Sequence, residues 1–144
     1  MANGSATESF QIANATQNVR PEYGIFDYVL SWTADSAGSV SYTGKLPVVG
    51  LLLDWWTKPG TVAPTNNYTV TAKDPATTDI LAAGGTGNRS STTTQYSASI
   101  PSKAITDGVT TATALRAFNG ELLTLNVSSA GNGGQGLLYL RFKV

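Results

Sequence analysis

The stretch LPVVGLLLDWW, residues 46–56, is the densest apolar run in the chain. It contains Pro47 and Gly50, and it is too short and too interrupted for a membrane helix. Its content of Val, Leu and Trp favours a strand that is buried on both faces. A loop rich in Pro, Thr and Asn follows at residues 59–67, and YTVTA at residues 68–72 then alternates apolar and polar residues as a half-buried strand does.

Period-two alternation recurs along most of the chain. Apolar residues occupy every second position in four further segments, residues 26–32, 95–100, 123–127 and 138–144. This pattern predicts strands with one buried face. Asn119-Gly120, which lies between two apolar segments, predicts a type I′ hairpin, because Asn-Gly tolerates positive φ at both turn positions.

The spacing of these segments indicates the fold class. About eight short strands separated by Gly, Pro and Asn turns, with no helical periodicity, predict an all-β fold, an antiparallel β-sandwich or jelly-roll-like domain. We expect residues 21–144 to form this single domain, and the polar residues 1–20, which include Phe10 and Ile12, to form an N-terminal arm. A chain of 144 residues is long enough to bury one core without disulfide or metal staples.

The composition argues against several classes of function. Nine basic and nine acidic residues cancel without clustering, so we expect no basic face for nucleic acid. The absence of histidine and cysteine removes the commonest general base, the commonest zinc ligand and all thiol chemistry. No glycine-rich phosphate-binding motif is present, so no cofactor is predicted. The first residues lack the features of a secretory signal, and we expect synthesis in a cytoplasm.

Carboxylate pairs are the remaining route to catalysis, because glycoside hydrolysis can proceed on two acids without histidine. The candidates are Asp27, Asp54, Asp74, Asp79 and Glu121. Asp54 is the most suggestive, since it lies between apolar Leu53 and Trp55, but a structural role is favoured and no catalytic residue is predicted. Asp74 and Asp79 offer oxygen ligands to calcium. An Asx turn is favoured for them, and no metal site is predicted.

Aromatic residues provide the clearest candidate contacts. Trp55 and Trp56 must point to opposite faces of a strand, so one of them faces away from the core of a one-sided sheet. With Trp32 and Tyr68 they offer a platform on which a sugar could stack. A subunit or lattice contact is favoured over a sugar, because aromatic residues are enriched in interface cores. The predicted interface residues are Trp55, Trp56, Pro59, Pro64, Asn66, Asn67, Phe10 and Ile12.

Three segments carry a resemblance to known proteins. They are APTNNYTVT at residues 63–71, DIL at residues 79–81, and GELLTLNVS at residues 120–128 with its glycine-rich sequel. Across residues 46–144 the chain resembles small β-rich virion proteins of tailed bacteriophages, in particular capsid cement or decoration proteins. The resemblance implies a non-enzymatic homotrimer that binds the outer surface of the phage head, with the major capsid protein and its own copies as partners.

The function implied by the resemblance is stabilisation of capsomer contacts, because a protein that binds only the assembled shell favours that shell. The implied location is the capsid surface of the virion, after synthesis in the cytoplasm of a host bacterium. Two alternatives stay open: a tail or head-tail structural protein of a phage, and a carbohydrate-binding module that recognises a receptor. Neither nucleic acid nor a membrane is expected as a partner.

Overall fold

The computed structural model describes residues 4–12, 24–46, 49–97, 102–106, 111–115 and 117–143. These residues form eleven strands and no helix, and all pairings between the strands are antiparallel. The prediction of an all-β antiparallel fold is therefore confirmed. The strands are β1 Ser5–Ile12, β2 Ile25–Thr33, β3 Val40–Lys45, β4 Val49–Pro59, β5 Thr69–Lys73, β6 Gln95–Tyr96, β7 Ser102–Thr106, β8 Thr111–Leu115, β9 Ala117–Asn119, β10 Leu122–Ser128 and β11 Gln135–Lys143.

The strands form one large sheet, one small sheet and a separate pair. The main sheet has the order β1-β2-β11-β4-β6, and β9 also pairs with β4. The small sheet has the order β3-β10-β5. In the described part of the chain, β7 and β8 pair only with each other. The last strand, β11, therefore lies in the middle of the main sheet, between β2 and β4.

Alternation decides which face each strand buries. In β11 every second residue from Gly136 to Phe142 is buried, and in β10 the buried residues are Leu123, Leu125 and Val127. Side chains from both sheets join in one core cluster. Full burial of a large apolar side chain stabilises the fold by roughly 1.5–3 kcal/mol. The largest fully buried side chains are those of Trp32, Trp55, Tyr28, Tyr68 and Phe142.

The central apolar stretch is buried on both faces only in its second half. Val49 is 63% exposed and Leu51 is 36% exposed, whereas Trp55 and Trp56 are both buried, on opposite faces of β4. The expectation of a strand buried throughout is wrong for this first half. Pro47 and Val48 lie outside the described residues.

A β-bulge in β4 explains how its apolar residues reach the core. Arg141 of β11 pairs with Asp54, but the next residue, Phe142, pairs with Leu52, so Leu53 is an extra residue in β4. An extra residue shifts the alternation of side chains by one position. Leu52 and Trp55 therefore both lie in the core cluster although they are three positions apart.

The connection at Asn119-Gly120 is not the predicted hairpin. β9 pairs with β4 in the main sheet, whereas β10 pairs with β3 and β5 in the small sheet. The backbone has positive φ at Gly120, 67°, but not at Asn119, so the type I′ turn does not form. The two residues carry the chain from one sheet to the other.

Two further segments depart from the local patterns. The predicted strand at residues 95–100 is seen only as β6, and residues 98–100 lie outside the described residues. Residues 103–114, whose sequence is ambiguous between a loop and a single short turn, contain most of β7 and β8. Of the predicted arm, residues 5–12 form β1, whose backbone pairs with β2 along its whole length.

Candidate functional site

Three loops meet at one end of the two sheets, and we call them together the loop end: residues 34–39, 60–68 and 129–134. Backbone hydrogen bonds tie the third loop to each of the other two, so the loops are fixed relative to one another. The bonds run from the N–H of Thr65 to the carbonyl of Ala130 (2.8 Å), from Ala130 to Gly38 (3.0 Å) and from Ala34 to Gly134 (2.8 Å).

Two glycines allow these loops to pack closely. Gly38 and Gly131 both have φ of 78°, a conformation that L side chains rarely adopt. A Cβ atom at Gly131 would lie 2.5 Å from the Oγ1 of Thr65, and one at Gly38 would lie 2.6 Å from the backbone nitrogen of Gly131. The contact between the three loops therefore depends on both glycines.

The surface of the loop end is almost uncharged. Asp35 is the one charged residue in the three loops, and its Oδ1 accepts hydrogen bonds from the N–H groups of Ala37 and Ser39, each at 2.9 Å. Val62 is 48% exposed at this surface. The other exposed residues are small or polar: Ser36, Ala37, Thr61, Ala63, Thr65, Asn66, Asn67, Ser129 and Asn132.

The loop at residues 59–67, which holds four of the predicted interface residues, begins at the last residue of β4 and otherwise belongs to the loop end. Its residues differ in exposure. Asn66 and Asn67 are exposed. Pro59 is half-buried, and Pro64 is buried and presents no surface to a partner. The Oδ1 atom of Asn66 accepts a hydrogen bond from the N–H of Ser91 (3.3 Å), which fixes the loop to the neighbouring segment.

The remaining predicted interface residues lie on the strands. Trp55 is in the core with none of its surface exposed, so it has nothing to offer a partner. Trp56 is on the outer face of the main sheet, the face turned away from the core, and is 9% exposed. Phe10 and Ile12 lie in β1, where their backbones pair with Tyr28 and Phe26.

Trp56 is covered mainly by aromatic residues of its own chain. Tyr139 of β11, Trp56 of β4 and Tyr96 of β6 are paired in register and form what we call the aromatic row. The Trp56 and Tyr139 rings stack at 5.1 Å and 9°, and the Tyr96 ring lies 5.8 Å from Trp56 at 40°. Tyr96 ends the row and is 65% exposed.

A charged row lies beside the aromatic row on the same face. Arg141 pairs in register with Asp27 on one side and with Asp54 on the other. Its Nε and Nη2 atoms donate to the two carboxylate oxygens of Asp27 at 2.7 and 3.0 Å, and its guanidinium lies 4.8 Å from the centroid of the Trp56 ring. The hydrogen bonding to Asp27 raises the pKa of Arg141, against the effect of burial, and the nearby Asp54 and Tyr96 raise it further.

Asp54 keeps one oxygen free. Its Oδ1 atom accepts hydrogen bonds from the N–H of Trp55 (2.7 Å) and from the hydroxyl of Ser97. Within the described ranges, its Oδ2 accepts no hydrogen bond and the Nη1 of Arg141 donates none. The outer face therefore presents a free acceptor and a free donor next to the exposed ring of Tyr96.

The acidic residues of the 74–79 turn hold backbone. Asp79 accepts N–H donors from Ala72 and Leu81 on Oδ1, each at 3.1 Å, and from Ala83 on Oδ2 at 3.0 Å. The Oδ1 of Asp74 accepts the N–H of Thr78 at 2.9 Å. Among the described residues no group of three or more His, Cys, Asp or Glu side chains is placed to hold a metal. Glu121, the last candidate acid, is half-buried just before β10.

Arg89 is a buried cation that sequence reasoning missed, because it lies in a polar loop without periodicity. It is 2% exposed, and its guanidinium lies 4.9 Å from the centroid of the Trp55 ring. Its Nε donates to the Oδ1 of Asn88 (2.8 Å) and its Nη2 to the carbonyl of Gly84 (3.1 Å). Burial lowers the pKa of Arg89, and the neighbouring Tyr68 partly offsets this. Arg89 thus fixes its loop against the core.

An open groove of about 320 Å³ lies on the outer face of the main sheet near the loop end. Residues of β1, β2 and β11 form its floor, and Gly60 and Thr61 close one side. All its lining residues are uncharged. Hydroxyl groups and one aliphatic side chain dominate the lining, from Ser5, Thr7, Ser31, Thr33, Thr61 and Leu137.

The chain matches no protein-family model, no curated protein and no solved structure. In the parts of the chain that the structure describes, no helix is long and apolar enough to cross a membrane. The loop end and the outer face of the main sheet are therefore the features from which function is inferred.

Proposed function

We propose that this chain is a non-enzymatic structural protein of a tailed-phage virion, a decoration protein that attaches to the outer surface of the head through the loop end. The observation that carries the proposal is the neutral, ordered surface of the loop end. Interface cores are depleted of charged residues. A surface that is already ordered also loses little conformational entropy on binding. The loop end meets both conditions.

The architecture proposed with this function is a jelly-roll-like β-sandwich. From β2 to β6 and from β9 to β11, successive strands alternate between the sheets: β2, β4, β6, β9 and β11 belong to the main sheet, whereas β3, β5 and β10 belong to the small one. Their side chains share one core. Jelly rolls of this kind recur in viral capsid proteins and in lectins. A fold does not fix a function, so this support is secondary to the surface of the loop end.

The acidic residues support a structural role. Asp27 is bound by Arg141 through two hydrogen bonds, and Asp79 by three backbone N–H groups. A pair of acids that hydrolyses glycosides must instead leave one carboxyl free to give a proton and the other free to act on water or sugar. The engagement of Asp27 and Asp79 leaves Asp54 without a free partner acid among these residues, which favours a binding protein.

The proposed partners are the major capsid protein and further copies of this chain, assembled as a homotrimer. A net charge of zero means that neighbouring copies on a crowded shell do not repel one another strongly. Binding to the assembled shell alone stabilises the shell by mass action. The head surface is therefore the proposed location.

Two matched variants test attachment through the loop end. Val62→Asp places a charge on that surface, and Leu122→Asp places one at the other end of the sheets, where Leu122 is 54% exposed and pairs with Lys45. The measurement is co-sedimentation of each purified variant with heads and with tails of the phage that encodes the chain. We expect wild type and Leu122→Asp to bind heads, and Val62→Asp to bind at least about tenfold more weakly, because burying an unpaired charge is costly.

Three outcomes would contradict the proposal. Binding to tails rather than heads favours a tail or head-tail protein. Loss of head binding in Leu122→Asp but not in Val62→Asp places the contact at the other end of the sheets. Failure of the wild-type chain to bind either particle would mean that it is not a structural protein of the virion.

A further inference from the structure

We infer that the outer face of the main sheet carries a binding site for a neutral glycan, formed by the ring of Tyr96 and the free polar atoms of Asp54 and Arg141. The three residues of this site lie on the strands or beside them, outside the loop end, although the groove that continues from them borders the loop end at Gly60 and Thr61.

The exposed ring is the first component of the site. Tyr96 is 65% exposed, and its position is fixed by β6 pairing with β4 and by contact with Trp56. Trp56 in turn stacks on Tyr139. A tyrosine ring offers an apolar face and a polar tip, which suits the mixed surface of a sugar ring.

The polar atoms are the second component. Among the residues that the structure describes, the Oδ2 of Asp54 accepts no hydrogen bond and the Nη1 of Arg141 donates none, and both atoms belong to the charged row next to the aromatic row. A sugar hydroxyl both donates and accepts, so one such acceptor and one such donor can hold neighbouring hydroxyl groups of a ring. Hydrogen bonds to charged groups are stronger than neutral ones, and they fix orientation.

Both polar groups are held in place before any ligand arrives. Arg141 is fixed by two hydrogen bonds to Asp27 and by the Trp56 ring, and Asp54 by the Trp55 N–H and the Ser97 hydroxyl. A preorganised site loses little entropy when it binds. This matters for a glycan, because each of its contacts is weak.

The charges favour a neutral sugar over an anionic one. The charge of Arg141 is balanced by Asp27, with which it forms a salt bridge of 2.7 Å. Among the described residues Asp54 forms no salt bridge of its own, so the charged row holds two carboxylates and one guanidinium. An acidic sugar stacked on Tyr96 would therefore meet the Asp54 carboxylate, whereas a neutral one would meet hydrogen-bonding groups and rings there. The exposed Lys58, which pairs with Leu137, lies outside this row.

The groove extends the site to more than one sugar unit. Arg141, Tyr139 and Leu137 are successive outward residues of β11, and Leu137 lines the groove. Alternate residues of a strand are about 7 Å apart, so an oligosaccharide is long enough to run from the aromatic row into the groove. The groove is lined by hydroxyl groups and carries no charge, which suits the same class of ligand.

The test is isothermal titration calorimetry of the full chain with maltohexaose, cellohexaose and chitohexaose, and with hexagalacturonate as an anionic comparison. We expect at least one neutral hexasaccharide to bind and hexagalacturonate not to bind. Tyr96→Ala should weaken that binding at least about tenfold, and Tyr96→Phe should retain most of it, because the ring is kept. Asp54→Asn should weaken it about tenfold by removing the charged acceptor, while its Oδ1 still holds Ser97.

Val62→Ala is the control, because Val62 lies in the loop end. It should leave glycan binding unchanged, and thermal unfolding should show that all variants are folded. Absence of binding to all three neutral hexasaccharides overturns the inference, as does equal binding by wild type and Tyr96→Ala. Each result is independent of head attachment, so the two proposals fail separately.

Discussion

Buried polar atoms are the residue-scale feature with the clearest effect on stability. In the described part of the chain, four such atoms have no hydrogen-bond partner: Nε1 of Trp32, Nε1 of Trp55, Oγ1 of Thr57 and the hydroxyl of Tyr68. The Tyr68 ring packs edge-on against Trp32, with centroids 5.4 Å apart. Thr57 lies near the Tyr68 hydroxyl and lowers the pKa of Tyr68, but the two groups do not meet hydrogen-bond geometry. An unsatisfied buried group of this kind costs about 1–3 kcal/mol.

Tyr68→Phe should therefore stabilise the protein by about 1 kcal/mol at pH 7, because it removes an unpaired buried hydroxyl. Burial also raises the pKa of Tyr68, with smaller opposing effects of Thr57 and Arg89. Because the phenol loses its proton more easily in the unfolded chain, where its pKa is about 10, the protein is at full stability below that pH. It loses stability as pH rises from there through the higher pKa of the folded state. Urea unfolding between pH 7 and pH 11 should show a smaller alkaline loss in the variant.

Tyr96→Phe is the control for this prediction, because its hydroxyl is on an exposed residue. It should not change the free energy of unfolding at pH 7. A Tyr68→Phe protein that is less stable than wild type at pH 7 would mean that the hydroxyl does have a hydrogen-bond partner.

Arg89→Ala should lower the free energy of unfolding by about 2–4 kcal/mol, since it removes buried hydrogen bonds and a cation–π contact. The loss should appear in urea unfolding followed by tryptophan fluorescence, because the guanidinium covers Trp55. Lys45→Ala removes an exposed cation and serves as the control. Equal effects of the two substitutions would show that Arg89 does not fix its loop.

At the scale of elements, strands with an alternating pattern could be predicted from the sequence. The segments that became β2, β10 and β11 carry apolar side chains at every second position, and this is the pattern that a one-sided core requires. The pairing of strands could not be predicted. Asn119-Gly120 is the strongest local signal for a hairpin, yet β9 and β10 find their partners far away in sequence. Non-local pairing overrides a local turn preference.

In the candidate site, too, the direction of single side chains could be predicted, whereas the contacts made by strand pairing could not. Opposite faces for Trp55 and Trp56 follow from strand geometry, so an outward tryptophan was predictable. Its neighbours Tyr96, Tyr139 and Arg141 come from separate parts of the chain and meet only through strand register. Arg89 could not be recognised as buried either, because it bonds to backbone carbonyls and an amide rather than to an acid.

Two glycines of the loop end, Gly131 and Gly133, both have positive φ, but we expect alanine to destabilise the protein more at Gly131 than at Gly133. Gly131→Ala should destabilise the protein by about 2–3 kcal/mol, because a positive φ costs an L residue about 1–2 kcal/mol and the Thr65 side chain must also rotate to make room for the new Cβ. Gly133 has φ of 66°, and a Cβ added there would meet no described atom within 4 Å, so Gly133→Ala should show the backbone cost alone. Thermal unfolding of both variants measures the difference. Equal losses would mean that the three loops do not pack as tightly as described.

At the scale of the whole molecule, charge balance sets how binding should respond to salt. The chain has nine basic and nine acidic residues, and the loop end has one charged residue. Attachment through this surface should therefore change by less than about threefold between low and high ionic strength, because salt screens interactions between charges and this surface carries only one. Co-sedimentation with heads at increasing salt measures it. A steep fall in binding with salt would place the contact on a charged surface instead.

The two proposals assign different parts of the molecule to different partners. The loop end is neutral and ordered, and it suits a protein surface. The outer face of the main sheet has a free acceptor, a free donor and an exposed ring, and it suits a glycan. A chain attached by its loop end would leave the outer face accessible from the side.

Attachment of the loop end to the head is tested most directly by a cryo-electron microscopy reconstruction of the phage that encodes the chain, at a resolution that separates strands. We expect regular copies of this 15.0 kDa chain on the head, with the loops at residues 34–39, 60–68 and 129–134 against the capsid protein. Density confined to the tail, or copies that contact the shell through the outer face of the main sheet, would contradict it.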